Sequence, residues 1–209
     1  MERRQYIDAL VLRKRVWGPI MIKTKIAKSI RIVTVPPVLA AAMLLILYRR
    51  YGGAFALNHE LIAAVLLLAV TPMLAYPVAA VCKGRDRRKT ERKLAFLFNL
   101  IGYLCALLIG LFFDYSHMLM TIFAAYAAAV VLLTLLNQLT AIRASGHACS
   151  CVLPYLFLMR WLEPWVLLIL VPLYAAEFWA SVELKRHTVP EFLWGSMVAA
   201  VSFLLSLLV

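Results

Sequence analysis

A chain of 209 residues that is 65% hydrophobic, 15% charged and has a mean hydropathy of +0.88 is too apolar for a water-soluble domain, where roughly half apolar and a quarter charged is usual. Its 22 Lys and Arg against 10 Asp and Glu give a net charge of +12, a balance that nucleic-acid binders share. The apolar residues, however, fall in blocks long enough to cross a bilayer core of roughly 30 Å, which excludes nucleic acid and leaves membrane lipid head groups or a phosphate-bearing substrate as partners.

Residues 1–31 carry nine bases (Arg3, Arg4, Arg13, Lys14, Arg15, Lys23, Lys25, Lys28 and Arg31) interleaved with apolar residues such as Tyr6, Leu10, Val16, Trp17 and Ile20. This composition predicts an amphipathic segment lying on an anionic membrane face, ahead of a transmembrane domain over 32–209. It contains no apolar core of the length a cleavable signal peptide needs, so none is expected. Apolar spans follow at 32–48, 60–82, 94–113, 118–142, 145–159, 165–184 and 187–209. The expected fold is therefore all-α, a polytopic helical bundle of seven transmembrane helices, or six if 145–159 is too short to cross. Prolines inside these spans are tolerable, since packed neighbours satisfy the carbonyls they free.

If the amino terminus, the 83–93 loop and the turns at 143 and 185–186 share one face, that face holds 19 of the 22 bases. Arg49, Arg50 and Arg160 are left on the other. The positive-inside rule then assigns the basic face to the cytoplasmic side of the cell membrane. His147 and His187 both open helices on that face, whereas His59 and His117 belong to the opposite one.

Cys82, Cys105, Cys149 and Cys151 lie in or beside apolar spans and read as small core residues. His147-x-Cys149-x-Cys151 has metal-donor residue types, but alternate helical positions step about 200° apart, so the three do not converge. No metal or cofactor is expected.

Three elements of the basic face can carry chemistry together. They are the run Lys83–Lys93 with seven bases, Arg143-Ala144-Ser145-Gly146-His147 at one helix start, and Lys185-Arg186-His187-Thr188-Val189-Pro190-Glu191 at another. Arginines offer forked donors matched to phosphate oxygens, and a Ser-Gly helix start aims free N–H groups at an anion. Two histidines can divide attack on phosphorus from protonation of the departing oxygen. Glu191, four residues after His187, falls on the same helical face and can hold the imidazole.

These segments resemble the three signature motifs of the type 2 phosphatidic acid phosphatase superfamily of integral membrane lipid phosphatases, over about residues 83–195. The resemblance implies that Arg85 and Arg92 bind substrate phosphate, that Ser145 and Gly146 do so from the second motif, and that His147 is the general acid. It further implies that His187 is the nucleophile that forms a phosphohistidine, with Glu191 standing where the family has a supporting Asp. The sequence departs from the motifs twice: Lys93 replaces a proline, and Ser181 replaces an arginine six residues before the nucleophile. Arg143 is the expected source of the missing charge.

The expected activity is hydrolysis of a phosphomonoester or diphosphate of a polyprenyl or glycerolipid. Two alternatives stay open: an attenuated relative that binds or transports lipid phosphate, and a phosphoryl or phosphatidyl transferase. Thr188-x-x-Glu191 is also a capping-box pattern, and Ser145 can simply cap its helix. Asn99 and Glu177 lie within spans, where polar groups are costly and often functional, and Asn137 and Gln138 can bond between helices.

Overall fold

The computed structural model describes residues 21–55, 58–81 and 87–209, all in helices and short connections. Helix α1 (Met21–Val33) meets α2 (Pro36–Arg50) at a bend of 49°. The cause is local. Pro36 and Pro37 occupy the first turn of α2, where their missing N–H groups cost nothing, and they push Val35 out of the helical region to φ −62°, ψ 134°. Of the amphipathic segment predicted over 1–31, residues 1–20 lie outside the described residues, and 21–31 form most of α1.

Helix α3 (His59–Val81) is continuous but changes winding. Pro72 cannot donate to the carbonyl four residues back, and the ladder widens to a π-helical turn over Leu66–Val70. That turn needs a close neighbour without a side chain: a Cβ on Gly102 of α4 (Arg87–Phe112) would lie 2.5 Å from the Leu67 carbonyl oxygen. Helices α5 (His117–Leu139), α6 (Gly146–Trp161), α7 (Leu167–Glu183) and α8 (Val189–Ser206) complete the bundle.

Five helical stretches among the described residues are long and apolar enough to cross a membrane, and the bent α1–α2 pair makes six. The fold is thus the all-α architecture of a multi-pass membrane bundle. The outward faces are apolar, as lipid requires, with Leu108, Phe112, Leu168 and Leu204 all more than half exposed. Helix contacts rely on small residues, among them Ala106, Ala125, Ala148, Ala180, Gly195 and Ala199. The fifth predicted span, 145–159, is α6. At 16 residues it is short for a crossing, and it is enclosed by protein: α2, α5, α7 and α8 pack around it, and its residues Ala148–Tyr155 are all buried. Its apolar character reflects a position at the bundle centre.

Candidate functional site

The amino end of α6 and the α7–α8 turn are built against each other. Ser145 caps α6, its hydroxyl accepting from the Ala148 amide at 3.2 Å. Its own amide donates to the Glu191 carbonyl at 2.9 Å, tying the second motif to the third. This approach depends on Gly195, one turn further along α8, because a Cβ there would stand 2.3 Å from the Ser145 carbonyl oxygen. Asn137 secures the incoming segment from the other side: its side chain accepts from the Ala144 amide at 2.7 Å and donates to the Ala144 carbonyl at 3.2 Å. Cys149 donates to the Ser145 carbonyl, so of the first-turn amides only Gly146 and His147 are left for a ligand.

The α7–α8 turn that carries His187 is closed by a left-handed residue. Lys185 has φ 51°, the Arg186 amide donates to the Ser181 carbonyl at 3.0 Å and the Lys185 amide to Val182 at 2.9 Å, the paired bonds of a Schellman ending. Thr188 and Glu191 then form a complete capping box at the start of α8. Glu191 has a second contact: its Oε2 is 3.5 Å from Nδ1 of His187, so capping and imidazole support coexist in one carboxylate. Nε2 is thereby the His187 nitrogen left for chemistry. Burial, with the Arg31 charge next, holds this imidazole below the usual histidine range, opposed by Glu191 and reinforced by Arg92.

Two adjoining cavities meet at this point. The inner one, about 460 Å³, is lined by His147, His187, Gly146, Arg92, Arg186, Arg31, Glu91 and Asn99 among its polar residues and by Pro36, Pro72, Tyr76, Phe96 and Leu133 among its less polar ones. The outer one, about 850 Å³, shares Arg92, Asn137, Arg186 and His187 and adds Arg143, Lys185 and Glu191. His147 Nε2 is buried with no hydrogen-bond partner among the described residues, at the edge of the inner cavity.

Of the residues singled out from sequence, Arg92, Arg143, Gly146, His147, His187 and Glu191 therefore line one continuous cleft. Ser145 lies behind it, 2% exposed, with its hydroxyl committed to the cap. Arg85 lies outside the described residues. Glu177 does not line the cleft; it is buried in α7 and accepts a hydrogen bond from Tyr155 at 2.7 Å.

One residue of the cleft was missed. Arg31 was counted with the membrane-surface bases, yet its Nη1 donates to Ser181 Oγ at 2.9 Å, at the position where an arginine was expected and found absent. The spacing held a signal. Ala27, Arg31 and Thr34 repeat at four and three residues, one helical face, and Ala27 and Thr34 are buried against the bundle at 0% and 2% exposure. Arg143 instead stands at the rim, exposed, in the outer cavity.

No family model, curated protein or solved structure matches this chain.

Proposed function

We propose that the chain is a membrane phosphatase of the type 2 phosphatidic acid phosphatase kind, hydrolysing a lipid phosphate or diphosphate through a phosphohistidine. The observation that carries this reading is the cleft itself: two histidines from separate helix starts, one of them backed by a carboxylate, share an inner cavity with guanidinium groups and a helix amino terminus. The cavity's less polar lining residues, beside its polar ones, suit an amphiphile whose tail stays in the bilayer.

In the proposed reaction, the phosphate is held by arginines and by the Gly146 and His147 amides, which oppose the charge gathering on its oxygens. The lone pair of His187 Nε2 attacks phosphorus, and the bond from phosphorus to the lipid oxygen breaks. Burial, then the Arg31 and His187 charges, hold His147 down to about 3, so it takes up its proton only when the phosphate dianion enters beside it. It then gives that proton to the departing oxygen, releasing the lipid alcohol, or the lipid monophosphate when the substrate is a diphosphate. Water then attacks the phosphohistidine and returns its proton to His147. The P–N bond breaks to leave inorganic phosphate and free His187. Glu191 steadies the imidazole as it gains positive charge. If the amino terminus, residues 83–93 and the turns at 143 and 185–186 share one face, its 19 of 22 bases support a cytoplasmic site.

The attenuated reading rested on the missing arginine at 181, and the guanidinium of Arg31 at Ser181 removes that ground for preferring it. The test is phosphate release by the purified chain from a panel of polyprenyl and glycerolipid phosphates. Turnover of at least one, lost in a folded His187→Ala variant, is the expected result; equal turnover by the variant excludes the assignment.

A further inference from the structure

Arg31 has a set of contacts that neither a surface base nor a structural ion pair explains. It is carried by α1, outside the three segments that supply the cleft's histidines and its other bases, and is only partly exposed. Its guanidinium enters the bundle far enough to meet Ser181, a side chain with 0% exposure. No carboxylate pairs with it among the described residues. Its charged neighbours along the inner cavity are Arg92, Arg186 and one carboxylate, Glu91, and the buried Glu177 also acts on it electrostatically; bases still outnumber acids where burial makes uncompensated charge costly.

A neutral hydroxyl satisfies one of five guanidinium donors and none of the charge. Ser181 fixes the direction of the fork while leaving its remaining donors free, and being small it leaves room for a guanidinium arriving from another helix. The group that completes this arrangement is a tetrahedral oxyanion, which accepts forked hydrogen bonds and neutralises several bases at once.

We propose that Arg31 is a phosphate-binding residue of the cleft, presented from α1 and positioned by the Ser181 hydroxyl, so that α1 completes the site. The anion site stands on the geometry alone; the identity of its ligand as a lipid phosphate rests on the phosphatase reading. Helix α1 meets α2 at the bent Thr34–Val35 link and packs on the bundle through Ala27 and Thr34, so the charge comes from a different helix than the histidines.

The experiment measures equilibrium binding of radiolabelled orthophosphate to the full chain in nanodiscs of zwitterionic lipid. Arg31→Gln keeps a donor for Ser181 and removes the charge. It should weaken binding about 10- to 100-fold with no loss of thermal stability. In the unaltered chain, phosphate should slow phenylglyoxal modification of Arg31 as read by mass spectrometry, a measurement that does not depend on the variant folding. Undiminished binding by Arg31→Gln, absence of orthophosphate binding to the wild type, or equal modification with and without phosphate each overturns the proposal. Phosphate binding that depends on Arg31 without any lipid phosphate hydrolysis would remove the phosphatase reading and keep this one. Hydrolysis with Arg31-independent binding would do the reverse.

Discussion

Gly195 and Gly146 receive the same substitution with different results. In Gly195→Ala the new methyl would lie 2.3 Å from the Ser145 carbonyl oxygen and 3.1 Å from the Ala148 methyl. Ordinary contact lies near 3.5 Å, so α8 and the α6 amino end must part by roughly 1 Å. Both atoms in the way belong to a capped helix start, and the 2.9 Å bond from the Ser145 amide to the Glu191 carbonyl spans the same gap. Overpacking of this kind costs about 1–3 kcal/mol, or a fall in melting temperature of roughly 2–12 °C for a chain of this size. Because the displaced elements carry His147 and His187, turnover should fall even below the unfolding range. Gly146→Ala is the control. Its methyl would meet only Leu133 Cδ1, at 3.9 Å, so the fold tolerates it, but it narrows the first turn of α6 where the free amides face the cleft. The expected pattern is lowered stability and activity for Gly195→Ala, and wild-type stability with weakened substrate binding for Gly146→Ala. Melting curves in detergent and Michaelis parameters for both variants decide it. A Gly195→Ala protein as stable as wild type would refute the close approach of α8 to Ser145.

Glu191→Gln keeps an acceptor for the Thr188 amide but loses the charge beside His187, so stability should change little while turnover drops by about 100-fold or more. The acid limb of kcat/KM should lie below about pH 6.5, because His187 must be unprotonated to attack and its pKa is depressed. Three facing charges set that limb, Arg31, Arg92 and Glu191, and the first and last act in opposite senses: Arg31→Gln should move it to higher pH and Glu191→Gln to lower pH. Shifts in the same direction would contradict the assigned neighbours. A single cysteine within residues 83–93, of which 87–93 form the start of α4, should in a Cys82→Ser background resist an impermeant reagent in intact cells and react after lysis; labelling from outside would reverse the orientation.

The helices were legible because the bilayer imposes the simplest of patterns. The span expected at 118–142 is α5 (His117–Leu139), and that at 187–209 is α8 (Val189–Ser206), each displaced only by its caps. The capping box at Thr188 and Glu191 was readable for the same reason, since both partners lie within one turn. At 145–159 the sequence left seven or six crossings open, and the structure agrees with six; hydropathy alone did not decide because composition does not distinguish apolar residues facing protein from those facing lipid.

The site was legible where its residues occur in short runs. Gly146 with His147, and His187 with Glu191, reach the cleft because helix starts carry them there. What required coordinates was the long-range pairing. Arg31 and Ser181 stand 150 positions apart, and the helical repeat that puts Arg31 on the face of Ala27 and Thr34 does not say which residue it meets. Asn137 was flagged as a possible link between helices, and its target is the Ala144 backbone of the segment leading into Ser145. The Gly195 approach was likewise invisible, because a glycine within an apolar helix does not announce what crosses it.

The proposed mechanism stands or falls on a covalent intermediate. In a single-turnover experiment with a lipid phosphate labelled in its transferable phosphate, quenched within the first turnover, the chain should carry radioactivity that is stable to alkali and lost in acid. Peptide mapping should place it on His187. Absence of label under conditions of full turnover, or label on any residue other than His187, would contradict the account.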